Sequence, residues 1–149
     1  GLTASPLTMA RFYGMVAADG LLCTPHFLIS KPQTGEWVEY ESEQVIDDQV
    51  ALDKLKGMLK GVVQSGTGTD AAIENYEVAG KTSTAEIAEN GGYAESCYNL
   101  CFAGFIDNSN SNLACFVSAN NINYEGKMAS VFHDIMLEAI DLYNIVPVK

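Results

Sequence analysis

Val78-Ala79-Gly80-Lys81-Thr82-Ser83-Thr84-Ala85-Glu86 lies inside a longer extended pattern, Glu77 to Ala88, and puts a lysine and two threonines on a strand rather than in a loop. A strand shows alternate residues to opposite faces, so Thr82 and Thr84 project to one side. There they offer two hydroxyl donors to a carboxylate, while Lys81 adds fixed positive charge. At a sheet edge the backbone of this stretch can also pair with an extended peptide. A plainer account fits the same residues: Lys81 is a solvated lysine that discourages edge pairing, and the threonines are there as strand formers. From these residues alone the two readings stand level.

Downstream, Asn99 to Ile106 and Leu113 to Ala119 are apolar at nearly every position, the pattern of strands buried on both faces. The connection Asp107-Asn108-Ser109-Asn110-Ser111-Asn112 is too short for a crossover helix, so the two strands should be antiparallel neighbours. Beyond them Phe132, Ile135, Met136, Ala139, Ile140 and Tyr143 form a helical stripe that Asn144 and Pro147 end.

Upstream, Asp47 and Asp48 favour a helix start, and Ala51, Leu55, Met58, Leu59 and Val62 mark one face until Ser65-Gly66. Phe27 to Ser30 and Trp37 to Tyr40 predict a small peripheral hairpin. Ser5-Pro6 reads as an N-cap with proline at the first helical position. Leu7, Ala10, Tyr13 and Ala17 then recur at helical spacing until Asp19-Gly20. The expected class is α+β: two or three antiparallel strands with helices on both faces.

The 149 residues suit one domain able to bury about two-thirds of its unfolded surface. Hydrophobic residues make up 48% and charged residues 18%, which excludes a disordered chain. With 8 Lys+Arg against 19 Asp+Glu, the net charge of −11 repels phosphate backbones, so no nucleic-acid partner is expected. The carboxylates are scattered, as solubility requires, rather than gathered in a tail. No apolar run approaches the roughly 20 residues of a membrane helix, as expected of a soluble segment. Gly1-Leu2-Thr3 leads almost at once into a helix start, as expected of an excised part of a larger domain.

Cys23, Cys97, Cys101 and Cys115 follow no zinc spacing and are expected to be buried free thiols. Cys97 and Cys101 would lie about 13 Å apart on a strand, beyond the disulfide limit of about 7 Å. His26 and His133 have no neighbours at metal-site spacing, and packing or surface roles are expected of both. Tyr93, Glu95, Ser96 and Tyr98 are expected in a polar loop able to wall a cleft. Gly66-Thr67-Gly68-Thr69-Asp70-Ala71 fits a dinucleotide fingerprint in letters, but it follows a helix where a strand is needed. Gly80-Lys81-Thr82 lacks the upstream glycine of a phosphate loop, where Asn75 stands, so nucleotide binding is excluded.

Lys81-Thr82-Ser83-Thr84-Ala85 resembles the K-[ST]-G-T-A strand motif of serine penicillin-binding proteins, whose other motifs are S-x-x-K and S-x-N. Four further segments agree in order. Ser5-Pro6-Leu7-Thr8-Met9-Ala10-Arg11-Phe12-Tyr13, with Ala17-Ala18-Asp19-Gly20, is similar to the family's TPLQMARAY helix and its ANGG. Val62-Val63 through Gly66-Thr67-Gly68 and Ala71 resembles VV-x-x-GTG-x-x-A, and Phe102-Ala103-Gly104-Phe105 resembles F-x-G-F. Val131-Phe132-His133-Asp134-Ile135-Met136 resembles the closing P-V-F-x-x-I-M helix. The resemblance covers essentially the whole chain and is closest to class B enzymes of the cell-division kind.

That resemblance implies an α+β part of the β-lactamase-like transpeptidase fold and peptidoglycan D,D-transpeptidation through a serine acyl-enzyme. Lys81 would shape the electrostatics around the nucleophile, and the Thr82 and Thr84 hydroxyls would hold the terminal carboxylate of a stem peptide or a β-lactam. The Thr84 backbone N–H would be one oxyanion donor, with Ser83 beside the substrate on the same strand. Implied partners are the upstream half of the domain and division proteins, on the extracytoplasmic face of a bacterial membrane; no metal or organic cofactor is expected.

Two positions depart from the family pattern. S-x-x-K is absent from the 149 residues, so the nucleophile is expected upstream and the chain alone is expected to be inactive. Ser118-Ala119-Asn120 fits S-x-N in letters but falls after the lysine motif. Ser83 replaces the usual glycine, adding a Cβ and a hydroxyl. A non-catalytic module for cell-wall peptide or a division partner, and a β-lactamase or D,D-carboxypeptidase, are the alternatives.

Overall fold

Ser5 starts the first helix as its place before Pro6 requires, its hydroxyl accepting the Thr8 N–H at 3.1 Å. A computed structural model describes residues 3–89, 91–122 and 127–148. Helix α1, Pro6–Ala17, is followed by strands β1, Leu21–Cys23, and β2, Ser42–Gln44, and by helix α2, Gln49–Ser65. A single 3-10 turn, Thr69–Ala71, leads into strands β3, Glu77–Glu89, β4, Gly92–Asp107, and β5, Ala114–Ile122, and helix α3, Met128–Tyr143, closes the order.

The main sheet runs β3-β4-β5, antiparallel throughout. Thr82 stands opposite Phe102 and Thr84 opposite Leu100; Phe102 in turn faces Val117. Strand alternation splits the core in two. Val78, Phe102 and Ile106 face Phe132 and Met136 of α3, whereas Ala79, Ala103 and Phe105 face Tyr13 and Val16 of α1. Helix α2 lies along β3 and feeds both cores, Val63 to the first and Leu59 to the second. This is the α+β arrangement the sequence predicts, with helices on both faces.

Four expectations need correction. The hairpin expected over Phe27 to Tyr40 is reduced to one bridge, Ser30 to Trp37, and the paired strands are β1 and β2 at its base. Leu22 and Ile46 at that base reach the second core, whereas Phe27 and Trp37 farther out are exposed and have no core to face. The intervening loop is held by its own contacts instead, a His26–Tyr40 stack with ring centroids 3.8 Å apart and a Lys31–Glu36 ion pair at 2.8 Å.

The inner face of α2 is turned by about one residue from the expected one: Leu52, Lys56, Leu59 and Val63 are buried, while Ala51 and Met58 are exposed. Strand β5 is only half-covered along most of its length, because it is the outer strand of the sheet. The cysteines are free but none is fully buried, and Cys23 is exposed.

Lys56 explains the rotation of α2. Its ammonium lies 2.7 Å from Asp19 Oδ1 and 3.4 Å from Asp107 Oδ1, and Lys60 reaches Asp107 Oδ2 at 2.9 Å and Glu77 Oε2 at 2.8 Å. Burial pushes the Asp107 carboxyl up, but the Lys60 hydrogen bond and the Lys56 charge outweigh it and hold the group below the usual carboxylate range. Burial likewise pulls Lys56 down, yet its bond to Asp19 and the Asp107 charge leave it above an ordinary lysine. For Lys60 the bond to Glu77 leads the upward shift, against partial burial.

Depression of Asp107 stabilises the fold above the unfolded carboxyl's pKa, and that contribution is lost as pH falls through the lower folded value. The raised lysines act oppositely: their contribution is complete below the unfolded lysine pKa and fades only as pH rises through the folded values. Asp107→Asn is therefore expected to cost about 1–3 kcal/mol at neutral pH, since each lysine keeps one carboxylate. The cost should shrink toward about pH 3, where the wild type has lost part of the same contribution. Urea midpoints at the two pH values read this directly; a cost independent of pH would remove Asp107 from the charge network.

Candidate functional site

The site begins with how β3 is seated. The Phe102 ring passes under Gly80, where an added Cβ would stand 2.5 Å from the ring's Cζ and 2.8 Å from Ala103 O. Only glycine permits that approach. Phe102 is completely buried and meets Phe132 of α3 with ring centroids 4.7 Å apart. The residues immediately after Gly80 thus start from a fixed position, although Lys81, Ser83 and Thr84 are exposed and Thr82 is half-buried.

Among the described residues β4 is the one strand partner of β3, so β3 is an edge, and alternate N–H and C=O groups on its far side point away from the ladder. Thr82 and Thr84 lie on the α3 face with Val78; Lys81 and Ser83 lie on the α1 face with Ala79. Lys81 nevertheless bends round the strand, its Nζ donating to Thr82 O at 2.8 Å and to Thr82 Oγ1 at 3.4 Å. The arrangement is an ammonium and two hydroxyls gathered on one open strand edge.

Above this edge is a groove of about 410 Å³ that Thr82, Ser83 and Thr84 line on one side. Thr67 and Asp70, from the loop after α2, and Lys127 and Met128, at the start of α3, supply other walls. Lys127 Nζ and Asp70 Oδ2 stand 3.1 Å apart and tie the last two segments together. The mixed lining suits a ligand with an anionic end and an extended, partly apolar body.

Thr67 had no site role in the sequence reading, yet its hydroxyl lies 2.6 Å from that of Thr82. Asp70 and Lys127 were missed as well; the glycines on either side of Thr67 were the one signal available. Tyr93, Glu95, Ser96 and Tyr98 belong to β4, not to a loop, and the groove takes Leu100 and Cys101 from that strand instead. The extended β3–β4 pairing, which continues to Glu89 opposite Gly92, is what turns the expected loop into a hairpin.

Ser118 and Asn120 are exposed on β5, separated from the Lys81 strand by the whole width of β4. His133 contacts Asp134 at 3.0 Å, and His26 is engaged with Tyr40 and with Thr24 O. Cys115 is half-buried, and burial pushes its thiol up, away from nucleophilic chemistry. Among the described residues no His, Cys, Asp and Glu side chains gather as a metal site, and no helix is long and apolar enough to cross a membrane.

Residues 1–137 match the family model of the penicillin binding protein transpeptidase domain. A probable peptidoglycan D,D-transpeptidase PbpC from Pseudomonas aeruginosa is 32% identical over 152 residues, covering 98% of this chain and 26% of that protein. The transpeptidase domain of penicillin-binding protein 3 from Burkholderia pseudomallei superposes with a TM-score of 0.82 at 26% identity, over 99% of this chain and 44% of that one. Penicillin-binding protein 3 from Mycobacterium tuberculosis, solved with aztreonam, gives 0.81 at 26% identity over 100% of this chain and 37% of that one. The chain spans about a quarter of the length of the curated relatives it matches. Its α+β fold, its glycine-seated lysine–threonine edge and the match over nearly its whole length agree: the chain belongs to the penicillin-binding protein transpeptidase domain family.

Proposed function

We propose that the chain is the C-terminal portion of a peptidoglycan D,D-transpeptidase and supplies its substrate-binding strand, while a serine outside these 149 residues supplies the nucleophile. The observation that carries this reading is the free edge of β3, where Thr82 and Thr84 line the groove and the Lys81 ammonium is bonded to Thr82 O and Oγ1. A stem peptide laid along that edge extends the sheet by one strand, so its backbone gains hydrogen bonds without a dedicated pocket for each side chain. Its terminal carboxylate falls to the Thr82 and Thr84 hydroxyls, with the Lys81 ammonium nearby.

In the reaction the serine Oγ attacks the carbonyl of the D-Ala-D-Ala bond, and the Thr84 N–H is one of the two donors to the oxyanion. The C–N bond breaks, terminal D-alanine leaves as the protonated amine, and the acyl group remains on serine. The amine of a neighbouring stem peptide then attacks the ester, forms the cross-link and returns the serine. A β-lactam enters the same route and stops at the acyl-enzyme. Strand alternation sends the Ser83 side chain to the face opposite the Thr82 and Thr84 hydroxyls, while Ser83 itself still lines the groove beside them. The same reading puts the full protein on the extracytoplasmic face of a membrane, anchored through residues outside this chain, with division proteins as partners.

Intact mass before and after benzylpenicillin tests the reading. The full protein is expected to gain one drug mass and the isolated 149-residue chain none. An adduct on the isolated chain would show that the nucleophile is among these residues. No adduct on the full protein would favour the rival that Ser83 supports, a module that binds cell-wall peptide without turning it over.

A further inference from the structure

Thr67 is held where it is by its neighbours. The N–H groups of Gly66 and Gly68 both donate to Val62 O, at 3.1 and 3.0 Å. A Cβ on Gly66 would stand 2.9 Å from Val62 Cα and O, and one on Gly68 3.1 Å from the Phe102 ring. Neither glycine has a positive φ; close approach of backbone demands glycine at Gly66, and at Gly68 a Cβ would be a tight fit against the ring. The loop is thereby drawn in against the end of α2 and the ring that also supports Gly80, which brings the Thr67 hydroxyl to 2.6 Å from Thr82 Oγ1.

Two hydroxyls joined by one hydrogen bond have two protons between them; the bond consumes one and leaves one free. Thr82 Oγ1 also receives the Lys81 ammonium at 3.4 Å, which can only donate. A hydroxyl oxygen has two lone pairs. When Lys81 and Thr67 occupy both, the single proton of Thr82 must point elsewhere, and the groove is the open direction.

We infer that Thr67 is a positioning residue: it donates to Thr82 Oγ1 and thereby turns the Thr82 proton toward an incoming carboxylate. This deepens the transpeptidase reading and rests on it. Without the Thr67 hydroxyl, Thr82 is free to spend its proton on other acceptors, and part of the orientation must be recovered each time a ligand binds.

The test uses the full protein with Thr67→Val, which keeps the shape and loses the hydroxyl, and Thr67→Ser, which keeps the hydroxyl. Acylation rates are measured with benzylpenicillin and with its methyl ester, which has no carboxylate, and read as the ratio of acid to ester. The ratio is expected to fall about 10-fold in Thr67→Val, the range of one hydrogen bond to a charged group, and to return to within about twofold in Thr67→Ser. If Thr67→Val is poorly folded, Thr67→Ala gives the same reading.

A fall shared equally by acid and ester would overturn the inference, because a merely structural loss would move both. So would a serine variant as impaired as the valine one. A wild-type protein that takes up no drug overturns the transpeptidase reading and this one with it, whereas normal wild-type acylation with an unchanged ratio in Thr67→Val overturns the role of Thr67 alone.

Discussion

Lys81→Ala in the full protein is expected to slow acylation by benzylpenicillin by about 100- to 1000-fold, while the unfolding free energy changes by no more than about 0.5 kcal/mol. The two halves of this result have separate physical origins. Lys81 is exposed on an edge strand, its ammonium bonded to Thr82 O and Oγ1, so nothing in either core depends on it. The same ammonium is a concentrated positive charge in a chain whose net charge is −11, beside the threonines that face the groove. A unit charge about 4 Å from a developing anion at a partly solvated surface is worth of the order of 4 kcal/mol, the upper end of the range given. A stopped-flow or mass-resolved time course decides it. An unchanged rate in a folded variant would take Lys81 out of the chemistry and leave it the solvated edge lysine of the plainer account.

Phe102→Ala should destabilise the protein by about 3–5 kcal/mol, the range for removing a fully buried phenylalanine ring. The ring is fully buried, touches Phe132 across the first core, and fills the space beneath Gly80 and beside Gly68. Its loss opens a cavity under the strand and the loop that frame the groove. The geometry also predicts a specific coupling. In the wild type, Gly80→Ala forces a methyl group against the Phe102 ring and should cost about 1–3 kcal/mol. With Phe102 already alanine, that obstacle is gone, and the added cost should be smaller by about 1 kcal/mol or more. Equal costs in both backgrounds, measured by denaturant unfolding, would show that Ala103 O and not the ring makes Gly80 necessary.

Much of the site was legible because its signals are local. Alternation along a strand puts Thr82 and Thr84 on one side whatever they pack against, and the lysine and hydroxyls of the motif state their own chemistry. Thr67 was in view as part of a glycine-flanked stretch, but no periodicity ties it to a residue fifteen positions away in another element. Lys127 and Asp70 are more distant still, and they meet only because α3 packs against the turn that follows α2. The inner face of α2 was misread for a different reason: a lysine counts as polar in any pattern, and Lys56 goes inward because two carboxylates from other segments receive it.

Residues close together in the chain set the helix starts at Ser5 and at Asp47-Asp48, the antiparallel order of the last two strands and the two faces of the motif strand. Each follows from capping groups, connection length or strand period, which act over a few neighbouring residues, whereas the family resemblance rests on five motif segments in order along the chain. Long-range packing set the pairing of β1 with β2 at the base of the expected hairpin, the half-covered state of β5 and the reach of Thr67 to Thr82. Those outcomes depend on which distant surfaces bury one another, and a pairing between segments far apart in the chain is fixed by the packing of the whole and not by the residues beside it.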